Sequence, residues 1–158
     1  MADANFADGA EQALVLKAEA PQDVAVMSAL IQDAVLPACE MRWDRKAATL
    51  ALLINRFRWE DRAAAEAGKR PYERVRSLLA IGDVRAVASQ GIERGDADTV
   101  LSILSLTWEP GEDGTGRVVL TLAGDGAIKA EVECLNLTLK DVTRPYVAPS
   151  GHVPDHPQ

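Results

Sequence analysis

In the last third of this chain apolar side chains recur at every second position and then change phase. Val118, Leu120 and Leu122 share one side of residues 117–122. Ile128, Ala130, Val132 and Cys134 alternate with Lys129, Glu131 and Glu133, and from Leu135 onward Leu135, Leu137 and Leu139 carry the apolar side. Period two is the repeat of a half-buried strand, and a one-residue slip moves the apolar set to the other face. Such a slip within one long strand requires a bulge or bend, as where a strand turns a barrel corner. Gly124-Asp125-Gly126 separates the two runs and reads as a tight hairpin, since glycine supplies the positive φ of primed turns. The chain is therefore expected to build antiparallel strands joined by hairpins.

Upstream, the same reasoning adds strands. Cys39, Met41 and Trp43 alternate with Ala38, Glu40 and Arg42. Residues 47–59 open with a continuous apolar run and end in alternation, with Asn55, Phe57 and Trp59 set against Arg56 and Arg58. Residues 72–81, 84–89 and 100–108 read as further strands, with turns at Gly82-Asp83 and at the glycine-rich stretch through Gly116. One helix is expected. Pro21 suits its first turn, Val24, Met27, Leu30, Ile31 and Ala34 form a stripe at helical spacing, and Pro37 lies beyond its end. Residues 61–70 are too short for a helix to stand alone and are expected to be a mobile loop.

These elements predict an α+β, mostly antiparallel fold: a rolled sheet, small barrel or sandwich of about seven to eight strands with one N-terminal amphipathic helix, a pleckstrin-homology-like roll among the fits. Residues 1–12 are expected to be disordered, residues 13–144 to form a single domain, and residues 145–158 to form a Pro-rich tail.

Charge narrows the function. The net charge of −7 argues against nucleic acid, whose recognition relies on clustered Lys and Arg. Its distribution is uneven: residues 42–94 carry +5, residues 1–41 carry −6, and residues 95–158 carry −6. Cys39 and Cys134, both in apolar strand-like runs, read as buried thiols in a reducing cytoplasm. Residues 1–9 have neither the basic nor the apolar region of a secretory leader, and no apolar run has membrane-spanning length. A cytoplasmic location is expected, without membrane contact.

The basic middle holds the candidate site. If residues 47–59 pair with residues 72–81, Arg56 and Arg58 approach Arg74 and Arg76, with Trp59 near the same end as Tyr72. Like charges opposed in a sheet are unfavourable, so such a cluster would seek an anion or an acidic surface, which guanidinium forks bind well. The competing reading has these arginines as solvated residues paired locally with Glu60, Asp61 and Glu73. The charge asymmetry also fits self-association, or internal neutralisation by the fold. His152 and His156 lie among prolines that prevent a helix, with no further histidine to complete a metal site. Residues 112–116 lack the features of a phosphate loop or an EF-hand and read as a hairpin loop. Neither metal nor cofactor is expected, and no catalytic arrangement is legible.

The run Leu52-Leu53-Ile54-Asn55-Arg56-Phe57-Arg58-Trp59-Glu60 carries a resemblance. With Leu30-Ile31-Gln32-Asp33-Ala34-Val35, Glu109-Pro110-Gly111, Val132-Glu133-Cys134 and the closing Pro154-Asp155-His156-Pro157, it resembles a bacterial family known as Domain of Unknown Function 2948 (DUF2948), over roughly residues 14–145. The resemblance implies a small bacterial cytoplasmic protein and no activity, cofactor or catalytic residue. It draws attention to Asn55, Arg56 and Trp59. The favoured function is a non-enzymatic interaction or ligand-binding module whose contact surface comprises Asn55, Arg56, Arg58, Trp59, Arg74 and Arg76. Its expected partner is an acidic protein or a small anionic ligand. On this reading, Arg56→Ala with Arg58→Ala spares the fold and abolishes binding. The alternatives are an enzyme acting on a small anionic substrate and a homodimer-forming structural protein.

Overall fold

A computed structural model describes residues 13–92 and 98–147. Strands β1 (Val15–Ala18), β2 (Val35–Pro37), β3 (Met41–Asp44), β4 (Thr49–Phe57), β5 (Glu73–Ile81), β6 (Val84–Gln90), β7 (Val100–Pro110), β8 (Gly116–Leu122), β9 (Ala127–Val132), β10 (Leu137–Asp141) and β11 (Tyr146–Val147) form one 11-stranded sheet. Its order is β1-β10-β5-β4-β2-β7-β8-β9-β6, with β3 beside β4 and β11 beside β5. Every pairing is antiparallel.

Alternation decides which side of each strand faces the core. Leu50, Leu52 and Ile54 of β4, Val75, Leu79 and Ile81 of β5, and Leu137 and Leu139 of β10 are buried. So are Leu101, Ile103 and Leu106 of β7, Val118, Leu120 and Leu122 of β8, and Ile128, Ala130 and Val132 of β9. Apart from Val75, these residues from both wings join one apolar cluster with Val24, Met27 and Ile31 of helix α1 (Pro21–Ile31), so the sheet bends around a shared core that the helix covers. Burying a Leu or Ile side chain stabilises by about 1.5–3 kcal/mol. A core built from so many aliphatic side chains therefore needs few aromatics.

The structure corrects the expected fold class. The sheet is open, with β1 and β6 as its two ends, so it is neither a closed barrel, nor a two-sheet sandwich, nor a roll of fewer strands. The helix is not N-terminal to the sheet, because β1 precedes it and pairs with β10. It also stops six residues before Pro37. Asp33 takes a left-handed φ of 67°, its N–H donates to the Ile103 carbonyl at 2.7 Å, and the Ile103 N–H returns a bond to Ala34 at 2.9 Å. Pairing with β7 thus turns residues 35–37 into a strand that local pattern did not reveal.

Two further strand assignments change. The phase slip near Leu135 is a bend, as one of the two expected forms, but it ends one strand and begins another: residues 133–134 bend, β9 pairs with β8 and β6, and β10 crosses to pair with β5 and β1. Tyr146 and Val147, expected within a structureless tail, pair with Arg74 and Glu73. Residues 61–70 are not a loop but contain α2 (Arg62–Ala67), which follows a 3-10 turn at Trp59–Asp61 and buries Ala65 completely. The hairpin at Gly124 and Asp125 has the expected positive φ values of 80° and 66°. Neither thiol is buried: Cys39 lies in the 3-10 turn Ala38–Glu40 and Cys134 in the bend after β9, both exposed. The expectations for residues 1–12 and 148–158, including His152 and His156, fall outside the described residues. No helix among the described residues is long and apolar enough to cross a membrane.

Candidate functional site

Strands β4 and β5 pair as anticipated, with Asn55 opposite Arg76 and Phe57 opposite Arg74, but the basic residues divide between the two faces of the sheet. Arg56 follows the phase of Leu52 and Ile54 and points inward, where its side chain is 0% exposed. Its guanidinium is fully engaged. Nε donates to Ser77 Oγ at 3.0 Å, both terminal nitrogens donate to Glu60 at 2.9 and 2.7 Å, and Nη2 also donates to Asp141 Oδ1 at 3.0 Å. Asp141 accepts in addition from Ser77 Oγ at 2.7 Å and from the Leu14 N–H at 3.0 Å. Burial works to lower the Arg56 pKa, but the hydrogen bonds and charges of Glu60 and Asp141 outweigh it and hold the pKa above its ordinary value. The cluster joins β4, β5, β10 and the chain entering β1, and it closes one end of the core with polar groups.

Arg58 and Trp59 belong to the adjoining corner. Arg58 is buried and donates to Glu73 at 2.7 Å, with Asp61 at 3.6 Å. Asp61 in turn takes a two-pronged bond from Arg70, at 2.6 and 2.7 Å. That Arg70 bond, first of all, lowers the Asp61 pKa. Burial opposes it, and the charges of Arg58 and Arg70 add to it. These bonds fix α2 against the sheet, which is why a segment too short to be helical alone is helical here. The Trp59 indole N–H donates to the Gln32 carbonyl at the end of α1, and its ring meets Phe57 edge-on at 4.7 Å.

The outward members are Asn55, Arg74 and Arg76. Arg74 is half-buried, and Asn55 holds it through its side-chain oxygen at 2.8 Å and its backbone carbonyl at 3.0 Å. The Asn55 amide also donates to the Tyr146 hydroxyl. Burial lowers the Arg74 pKa, while the charges of Tyr146 and Asp33 favour the cation. Beside this set runs a groove of ≈ 400 Å³ whose polar lining residues are Asn55, Arg76 and Tyr146. Val35, Leu36, Pro37, Leu53 and Val100 supply its apolar walls. Val100 is 65% exposed there, and Arg76 is exposed, with Glu40 at 3.9 Å. Tyr146 is the member that sequence reasoning missed, because β11 has only two residues and its place is set by pairing with β5.

Among the described residues, those lining the groove include no carboxylate, histidine or cysteine. Elsewhere among the described residues, the carboxyls with displaced pKa values (Asp61, Glu66 and Asp83) are all displaced downward by hydrogen-bond donors, the opposite of what a general acid needs. Cys134 donates to Asp83, which raises its pKa and disfavours the thiolate. No group of three or more His, Cys, Asp or Glu among the described residues is placed to hold a metal ion.

By architecture this is an α+β protein: an open antiparallel sheet curved around one aliphatic core and covered by one helix, with a groove on the outer face of its central strands. Residues 14–156 match the family described as "Protein of unknown function (DUF2948)", which covers nearly the whole chain, and the chain belongs to that family. No curated protein and no solved structure matches it.

Proposed function

We propose that this DUF2948 protein is a non-enzymatic binding module that holds a small organic anion in the groove between β2, β4, β5 and β11. The observation that carries this reading is the contrast among the arginines. Arg56, Arg58 and Arg70 each meet carboxylates at hydrogen-bond distance, whereas the half-buried Arg74 donates its hydrogen bonds to a neutral asparagine. A partly desolvated guanidinium whose hydrogen bonds go to a neutral side chain favours an incoming negative charge, and Arg76 and the Tyr146 hydroxyl stand at the groove to meet it directly. The aliphatic walls suit a ligand with an apolar body, the usual composition of a small-molecule site. Among the described residues the lining holds no carboxylate, histidine or cysteine, which favours binding over catalysis.

Thermal unfolding in the presence of a panel of aliphatic mono- and dicarboxylates tests the reading. The expected result is a concentration-dependent rise in Tm that Arg76→Ala and Tyr146→Phe reduce, since a ligand binding only the folded state stabilises it by mass action. A rise of equal size in Arg76→Ala would refute the groove as the site.

A further inference from the structure

The sheet's open side carries a second feature, unconnected with the groove. Among the described residues, strand β6 is an end of the sheet and pairs with β9 alone, while β3 pairs with β4 alone. One backbone bond pins the two regions together, from the Val84 N–H to the Ala48 carbonyl at 2.8 Å. Beyond that pin the β3 and β6 edges line an open cleft of ≈ 560 Å³. Met41, Trp43, Val87 and Ile128 give it an apolar lining, and Arg45 and Arg85 stand on its two sides. Among the described residues no acidic one lines it, and neither arginine makes an ion pair.

Edge strands in stable monomers are blunted by charge, proline or bulges. In β6 the only such devices sit at its start: the register shifts between Val84 and Ala86, leaving Arg85 as the extra residue of a bulge. The remainder, Ala86-Val87-Ala88-Ser89-Gln90, is uncharged, free of proline, and mostly exposed. Unpaired main-chain groups repeating every two residues match an extended peptide, which alone can use them in series.

We infer that the β6 edge is a docking site for an extended acidic peptide segment of another protein, which adds as a strand beside β6 and sets carboxylates against Arg45 and Arg85. A second copy of this chain fits poorly. Its own β6 edge, Val84–Gln90, holds no carboxylate to set against Arg45 and Arg85.

The test is fluorescence anisotropy with a labelled synthetic peptide alternating glutamate and valine, titrated with the full chain. The acidic peptide should bind and its lysine-and-valine counterpart should not. N-methylation of the amides in one two-residue phase should abolish binding, and methylation of the other phase should leave it intact. Arg45→Glu with Arg85→Glu, both exposed, should weaken binding on the order of tenfold or more. Arg76→Ala should bind as wild type does. Equal binding of both methylated peptides, unchanged affinity in the charge-reversed variant, loss of binding in Arg76→Ala, or no binding at all would overturn the inference. Light scattering that shows a dimer unable to take the peptide would do the same.

Discussion

Replacing Arg56 by methionine separates a structural guanidinium from a ligand-binding one. The substitution keeps an unbranched chain of comparable reach and removes the charge from a cluster whose members are unequally placed. Glu60 is 30% exposed and can turn to water, whereas Asp141 is 4% exposed and cannot. The cost therefore falls on Asp141, left buried with two neutral donors, Ser77 and the Leu14 N–H. Breaking a buried pair by removing one partner costs about 3–5 kcal/mol, and the retained donors place Arg56→Met near the lower end, about 3 kcal/mol. Asp141→Leu strands a cation instead, but Glu60 still holds Arg56 through two bonds, so its cost is about 2–3 kcal/mol. In the double variant neither charge remains buried. Its loss should fall short of the sum of the single losses by about 2 kcal/mol, the coupling expected of residues in one network.

Urea unfolding at pH 7, with the slope shared among the four proteins of the cycle, measures these differences. At a total stability of about 5–15 kcal/mol, most of the range leaves each single variant folded at zero denaturant. The reasoning fails if Arg56→Met unfolds within about 1 kcal/mol of wild type, or if the two losses simply add. A variant as stable as wild type that no longer bound a groove ligand would return Arg56 to the contact surface.

Two further outcomes follow from particular contacts. Gly116→Ala should destabilise by about 1–3 kcal/mol in the same assay, because a Cβ there would run into the Trp108 ring and lie 2.6 Å from the Glu109 carbonyl oxygen, which is backbone and cannot swing aside. Asp61, whose pKa the Arg70 bond holds below the usual carboxylate range, contributes stability that is present above about pH 4 and lost as the pH falls through the folded pKa. Asp61→Asn should therefore flatten the acid limb of a stability–pH profile, and an unchanged limb would show that the Arg70 bond does not form in solution.

The sequence carried more information about Arg56 than its charge suggested. Residues 50–59 offer two phases. Phe57 and Trp59 invite the reading that Asn55, Phe57 and Trp59 face the core, which turns Arg56 and Arg58 to solvent. The uninterrupted run through Leu53 and Ile54 hides the choice, because both phases are apolar there. The neighbouring strands resolve it. Ser77 shares the phase of Val75, Leu79 and Ile81, and Asp141 shares that of Leu137 and Leu139. A lone polar residue at an inward position on each of three adjacent strands identifies a buried polar cluster, since such groups are tolerated inside only when they satisfy one another. Strand adjacency was the missing knowledge: β10 reaches β5 only by crossing from the other wing, and nothing local announces that crossing.

The charge asymmetry resolves on the same terms. The basic middle and the acidic flanks do meet, but within the fold: Arg56 from the middle binds Asp141 from the last segment, and Arg76 approaches Glu40 from the first. Within the middle, Arg58 and Arg70 are taken up by Asp61 and Glu73. A sum over a stretch of sequence counts residues on both faces of a strand, whereas a binding surface draws on one face alone. Dividing β4 and β5 by face leaves Asn55, Arg74 and Arg76 outside with Tyr146, a smaller set than the six residues that charge and resemblance selected. Within that remainder Arg74 donates its hydrogen bonds to neutral Asn55, while Arg76 has Glu40 at 3.9 Å.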